Sequence, residues 1–201
     1  MILTRPSMFA GIQVQTLIDF PGRIAAAVFV KGCNFRCPWC HNADFAYKDP
    51  DNFPSIDEEE ILSTLENRKA FLDGLVISGG EPSLYGEDIL HFAKKVKALG
   101  YALKLDTNGY DPDFIEDSIG LFDFIAMDVK NSFEKYPETC GLITMDIGRI
   151  RKSIEFIKRH FSAHQFRTTK IPGLVTDEDL DKIRSYIGEE LIVQEYKNRN
   201  V

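Results

Sequence analysis

The chain has 201 residues, 44% hydrophobic and 27% charged, with a formal net charge of −7. That length can bury a real core, so one domain is the natural expectation. The acidic balance argues against a protein that grips nucleic acid through its phosphates, and no apolar run approaches the length of a membrane span. Residues 1–6 lack the basic region and apolar stretch of a signal peptide. A cytoplasmic setting follows as the expectation, and there clustered cysteines are more often ligands than disulfides.

Residues 1–22 read as a lead-in segment closing on Ile18-Asp19-Phe20-Pro21-Gly22, a turn into the first strand. Residues 24–30 are apolar throughout rather than alternating, which suits a parallel strand covered on both faces. A cysteine-rich stretch follows, then a polar loop over 43–54. Ser55 and Glu58 have capping-box spacing, and Ile61, Leu62 and Leu65 share one helical face. Residues 75–77 predict a second strand, followed by Ser78-Gly79-Gly80-Glu81-Pro82. The next helix carries Ile89, Leu90, Ala93, Val96 and Leu99 at helical spacing and stops at Gly100. A third strand over 101–105 runs into Asp106-Thr107-Asn108-Gly109, and Asp111-Pro112 caps and opens another helix. A fourth strand over 122–127 ends in Asp128-Val129-Lys130. A long helix over 146–161 carries Ile147, Ile150, Ile154 and Ile157. Residues 165–171 form a fifth strand broken by Pro172-Gly173, 176–187 a capped helix stopped by Gly188, and 191–193 the last strand.

Six strands thus alternate with five helices, an order that implies a parallel sheet with right-handed crossovers. Such a sheet can curl into an open partial barrel or lie doubly wound. The expected fold is the former: an α/β, TIM-like (β/α)6 open partial barrel, one domain over 1–201 with its lead-in at 1–23 and the barrel at 24–195. In either case the functional face is where strands meet the loops that follow them. The unusual polar motifs all fall there, which predicts one composite site.

The centre of that site is Lys31-Gly32-Cys33-Asn34-Phe35-Arg36-Cys37-Pro38-Trp39-Cys40-His41-Asn42, with three of the four cysteines in eight residues. A structural zinc site closes with four ligands, yet His41 sits too close to Cys40 to be an easy fourth, and Cys140 is distant in the chain. A disulfide leaves one cysteine over and does not suit the cytosol. Three local thiolates around a cubane leave one iron open to a substrate or cofactor, whereas an ordinary cluster carrier supplies four.

Cys-x-x-x-Cys-x-x-Cys with an aromatic before the last cysteine resembles the signature of radical S-adenosylmethionine (SAM) enzymes. The longer string through His41-Asn42, with Ile18-Asp19-Phe20-Pro21-Gly22 upstream, is similar to the glycyl-radical-enzyme activases, nearest those of anaerobic ribonucleoside-triphosphate reductase. The likeness runs from about Gly11 to Tyr196. It implies one [4Fe-4S] cluster on Cys33, Cys37 and Cys40, with SAM on the open iron. It places Trp39 near the adenine and Asn42 in the cofactor pocket. It sets Gly79-Gly80-Glu81 against the methionyl amino group, where glycines allow close backbone approach and a carboxylate complements an ammonium. It further implies that Asp106, Thr107 and Asp128 line a site for cofactor and a monovalent cation, and that Lys130 approaches the methionyl carboxylate. Arg167 occupies a similar slot. Taken residue by residue, the alternatives are a capping Glu81, an exposed turn and a strand-end salt bridge.

Cys140 matches no ligand of that family and reads as a structural or incidental thiol, and His91, His160 and His164 as surface or helix-end residues. One cysteine outside the motif excludes a second cubane and points to the compact activases. The chain's end at Val201, soon after the last strand, is expected to leave room for a partner to insert a loop. The resemblance therefore implies an enzyme that takes hydrogen from a backbone glycine of a partner, anaerobic (class III) ribonucleotide reductase, with flavodoxin or ferredoxin as electron donor. The alternatives are a radical SAM enzyme acting on a small molecule, like the 7-carboxy-7-deazaguanine synthases, and a zinc-binding module without catalysis.

Overall fold

The computed structural model describes residues 7–47 and 54–197, so the readings made of residues 1–6 and of Val201 lie outside the described residues. Seven strands form one sheet in the order β1-β2-β3-β4-β5-β6-β7. An unbroken sequential order has no point where the winding reverses, so the sheet belongs to the barrel type rather than the doubly wound type. By their internal contacts the described residues fall into two compact units, one of 7–34, 42–47, 54–106 and 120–124, the other of 35–41, 107–119 and 125–197.

The first unit contains β1 (Phe9–Thr16), β2 (Ala25–Val30), β3 (Gly74–Gly79) and all but the last residue of β4 (Ala102–Thr107), with α1 (Ala43–Tyr47), α2 (Glu58–Asn67) and α3 (Glu87–Ala98). The register runs parallel from Ala25↔Gly74 to Val30↔Gly79 and from Gly74↔Ala102 to Ile77↔Leu105. The structure corrects the strand count, because β1 lies antiparallel on β2 with two irregularities in register. Ile12 and Val14 do alternate with Gln13 and Gln15, but Val14 is 45% exposed, so the pattern presents no buried face. The backbone of β2 holds β1 along its length, and the buried Phe9 ring at its start packs against Phe92 with centroids 4.7 Å apart.

Small residues in β2 and β3 make room for the lead-in turn. Phe20 packs in a cluster with Ala25, Ala27 and Val76, against Phe29, Ala102 and Phe124. A Cβ on Gly74 would stand 2.8 Å from the Phe20 ring, so glycine is what admits the phenyl group there.

The capping box expected at Ser55 and Glu58 is not formed: α2 has Asp57 at its N-cap, without a side-chain cap bond. Ile56 is held outside the helix, its N–H donating to Phe9 O at 3.2 Å and its carbonyl accepting from Ser7 Oγ at 2.6 Å. That tie to β1 fixes where the helix can begin. On α3, Ile89, Ala93 and Val96 are buried as the spacing predicts, Leu90 and Leu99 are half-buried, and Phe92, which that spacing did not include, is buried; Gly100 follows with φ +80°.

The second unit contains α4 (Pro112–Asp117), β5 (Phe124–Asp128, from Ile125 onward), α5 (Tyr136–Thr139), α6 (Ile147–His160), β6 (His164–Lys170), α7 (Asp177–Ile187) and β7 (Leu191–Glu195). β5, β6 and β7 are parallel neighbours. Asp111 caps α4 by accepting from Phe114 N at 3.4 Å, and Ile150, Ile154 and Ile157 of α6 are buried, as read from the sequence. α7 carries a full capping box between Thr176 and Asp179 and ends on Gly188 in the left-handed region. Three short elements had no periodic signal: α1, α5 and a 3-10 turn over Pro82–Tyr85. Among the described residues no helix is long and apolar enough to cross a membrane.

Candidate functional site

In the first unit the end of β3 is pressed onto the end of β2. Gly79 has φ +118°, and a Cβ there would collide with the Val30 backbone; one on Gly80 would collide with the Gly32 carbonyl. The two glycines are therefore required by neighbouring backbone at the root of the cysteine loop. Gly80 N and Glu81 N donate to Val30 O (2.8 Å) and Gly32 O (2.9 Å), extending the pairing past the strands. Asn42, immediately before α1, sends its Nδ2 to Gly79 O at 3.0 Å, tying the far end of the loop to the same place. Glu81 is 1% exposed and accepts from Ser83 N at 3.2 Å, so the capping role weighed from sequence is present.

Asp106 accepts from Lys104 Nζ at 2.5 Å and from Ser78 Oγ at 3.3 Å. Lys104 is 1% exposed, and the two-residue period of a strand puts it on Asp106's face. A lysine inside the otherwise apolar run of 101–105 is the signal that could have found it.

In the second unit the sequence-predicted Asp128, Lys130, Arg167 and Trp39 form one connected group. Asp128 accepts from Lys130 Nζ at 3.0 Å and from Arg167 Nε at 2.9 Å, and Lys130 Nζ stands 5.1 Å from the centre of the Trp39 ring. Burial alone would raise the Asp128 carboxyl, but Arg167 and then Lys130 outweigh it and hold the pKa at about 2. Burial likewise works against the charge on Lys130, and Asp128 and Cys37 more than reverse this, holding its pKa above the ordinary lysine value. Cys37 is pulled down to about 7, first by a hydrogen bond from the Cys140 thiol, against burial, and then with help from Lys130. Thr107 is buried and its Oγ1 accepts from Gly109 N at 3.1 Å, closing the turn after β4.

Trp39 is fixed by an Nε1 hydrogen bond to Thr139 O at 3.3 Å. Among the described residues no three His, Cys, Asp or Glu side chains form a group able to hold a metal ion. Cys33 Sγ instead donates to Asn34 Oδ1 at 3.8 Å and Cys37 meets Cys140, while no cysteine forms a disulfide. Of the histidines, His91 meets Glu87 O, His160 lies against the Phe156 ring, and His164 meets Phe161 O and Glu189.

The Radical SAM superfamily profile matches residues 27–187, from inside β2 to the end of α7. The chain belongs to the radical SAM superfamily. A Methanocaldococcus jannaschii protein, provisionally named a glycyl-radical enzyme activating enzyme, is 35% identical over 188 residues, covering 91% of this chain and 76% of that protein. The pyruvate formate-lyase-activating enzyme of Clostridium pasteurianum is 32% identical over 124 residues, 60% of this chain and 51% of its own. The chain thus spans about half the length of that relative. A solved structure of TYW1 with a lysine-pyruvate adduct bound shares the fold with a TM-score of 0.67 at 16% identity, covering 88% of this chain and 66% of that one.

As a radical SAM protein with activase relatives, the chain is an enzyme that uses a [4Fe-4S] cluster and SAM. The donor set suits such a cluster: three thiols on one loop, none in a disulfide, one acidified to about 7 beside a lysine. It is this donor chemistry, rather than a preformed triangle of sulfurs, that fits. Sequence reading gave Cys140 no part in it; the contact with Cys37 depends on residues more than 100 positions apart and leaves no mark on local spacing.

Proposed function

We propose that the chain is a radical SAM activase that installs a radical on a backbone glycine of a partner enzyme, in the cytoplasm, and that Cys33, Cys37 and Cys40 hold its cluster. The observation that carries the reading is the three-cysteine loop leaving β2, followed by Asn42 hydrogen-bonded to Gly79 in Gly79-Gly80-Glu81. When bound, the cluster and SAM supply one-electron cleavage of a sulfonium carbon–sulfur bond and a 5′-deoxyadenosyl radical that takes hydrogen from the glycine Cα.

The chain's own residues bind and orient. Lys130 offers a fixed positive charge to a carboxylate, and its pairing with Asp128 keeps it protonated at neutral pH. Glu81 offers a buried carboxylate to an ammonium, and Trp39 a flat face to the adenine. Asp106, Thr107, Asp128 and Arg167 complete the cofactor pocket in this reading. The aspartates would also serve a monovalent cation, in exchange for the lysine and arginine contacts they now hold.

The partner in this reading is anaerobic ribonucleotide reductase, supported by the Ile18-Asp19-Phe20-Pro21-Gly22 lead and the single cysteine outside the motif. The Clostridium relative favours pyruvate formate-lyase as a second reading. Electrons would come from flavodoxin or ferredoxin. The test is anaerobic reconstitution with reductant and SAM, scored for 5′-deoxyadenosine and for a glycyl-radical spectrum on each candidate partner, with Cys37→Ala as control. A spectrum on the reductase alone supports the first partner, and one on the lyase alone replaces it. Absence of 5′-deoxyadenosine from wild type carrying a full cluster overturns the function.

A further inference from the structure

Cys140 is 0% exposed and stands as the C-cap of α5. Its surroundings are built against the cysteine loop. Arg36 N donates to Cys140 O at 2.8 Å, and Thr139 O, one residue earlier, accepts from Trp39 Nε1 at 3.3 Å. Gly141, one residue later, has φ +67°, and a Cβ there would run into the Arg36 carbonyl. The rings of Phe35 and Tyr136 meet edge-on with centroids 6.5 Å apart. Residues 140 and 141 therefore meet Arg36 backbone to backbone, and Thr139 holds the Trp39 side chain. This juxtaposition sets the Cys140 thiol beside the sulfur of Cys37, within hydrogen-bonding reach.

The segment is anchored from behind. Asn131, 0% exposed, donates through Nδ2 to Thr139 Oγ1 at 2.8 Å and to Leu174 O at 3.1 Å. Ser132 and Lys135 both donate to the buried Asp179 at the start of α7, at 2.9 and 2.7 Å. A loop pinned this way presents its thiol from a fixed position.

We propose that Cys140 is a positioning residue whose S–H donates to the sulfur of Cys37 and so raises the reduction potential of the centre that Cys37 ligates. The inference rests on reading Cys33, Cys37 and Cys40 as cluster ligands. Its physical basis is that a donor to a ligating sulfur withdraws negative charge, and reduction adds negative charge to the cluster, so the reduced state is favoured.

The experiment reconstitutes wild type, Cys140→Ala, Cys140→Ser and Cys37→Ala anaerobically. Iron and sulfide are measured, then each cluster is titrated by EPR without SAM. Cys140→Ala is expected to keep the wild-type iron and sulfide content and to titrate at a more negative potential, while Cys140→Ser, which retains a donor, returns towards wild type. Should the alanine variant fail to fold by circular dichroism, Cys140→Val fills the space without a donor and carries the same expectation. A donor-less variant titrating with wild type overturns the proposal, and the ligand reading survives if Cys37→Ala loses its iron. Iron loss in Cys140→Ala as complete as in Cys37→Ala overturns it too, by making Cys140 a ligand or a structural support. A wild type that takes up no iron removes the ligand reading, and this proposal with it.

Discussion

At the scale of single residues, the clearest demands come from backbone packed on backbone. Gly79 sits at φ +118° with the Val30 backbone where a Cβ would go, so Gly79→Ala must strain or displace the end of β3. We expect it to cost about 2 kcal/mol or more in urea unfolding, from strain and overpacking together. Thr168 is the opposite case. It is 2% exposed, and among the described residues its Oγ1 has no hydrogen-bond partner. Val has nearly its shape without the unpaired hydroxyl, so Thr168→Val should leave stability unchanged or raise it by up to about 1 kcal/mol in the same measurement. Cys37→Ala tests chemistry instead: reconstituted iron should fall well below the wild-type content while thermal unfolding of the apo protein changes little more than loss of one small buried side chain requires.

At the scale of elements, the start of α7 couples a helix cap to the loop behind the cysteines. Asp179 is 1% exposed and accepts from Thr176, Ser132 and Lys135. Burial raises its pKa, but the bonds from Lys135 and Thr176, with Ser132, hold it well below the ordinary carboxylate range. A carboxyl depressed on folding adds stability that is complete above its unfolded pKa. That stability is lost as pH falls through the ordinary carboxylate range towards the folded value. Wild type should therefore lose stability on acidification over this window, and Asp179→Asn should show a shallower acid slope. At neutral pH the variant should be less stable by about 1–3 kcal/mol, read from urea titrations at several pH values. Lys135 is 43% exposed on its side chain, so most of the effect belongs to the buried hydrogen bonds rather than to the ion pair.

At the scale of the whole molecule, the sheet order makes β2 an interior strand from its first residue to its last, with β1 on one side and β3 on the other. Its Ala25, Ala26 and Val28 are 0% exposed, whereas β7 is terminal in the sheet and Ile192 is 38% exposed. Native-state amide exchange should be slowest along β2 and markedly faster along β7; equal protection of the two would contradict the order. The parallel strands, the long helices and the motifs at strand ends were legible because each depends on local pattern: apolar runs, helical spacing, caps such as Asp111 and Thr176, and stops such as Gly100 and Gly188. β1 was not, since an edge strand without a buried face is specified by its neighbour's backbone. The start of α2 was misread because Ser7 and Phe9, far off in the chain, hold Ile56 extended. The cysteine spacing alone was enough to propose the cluster and, through the resemblance it carries, the superfamily that the comparisons then showed. Only the tertiary structure decided what surrounds those residues. Gly79 and Gly80 yield to the backbone of Val30 and Gly32, Asp106 is matched by Lys104, and Cys140 is set against Cys37, because packing joins segments that no local period connects.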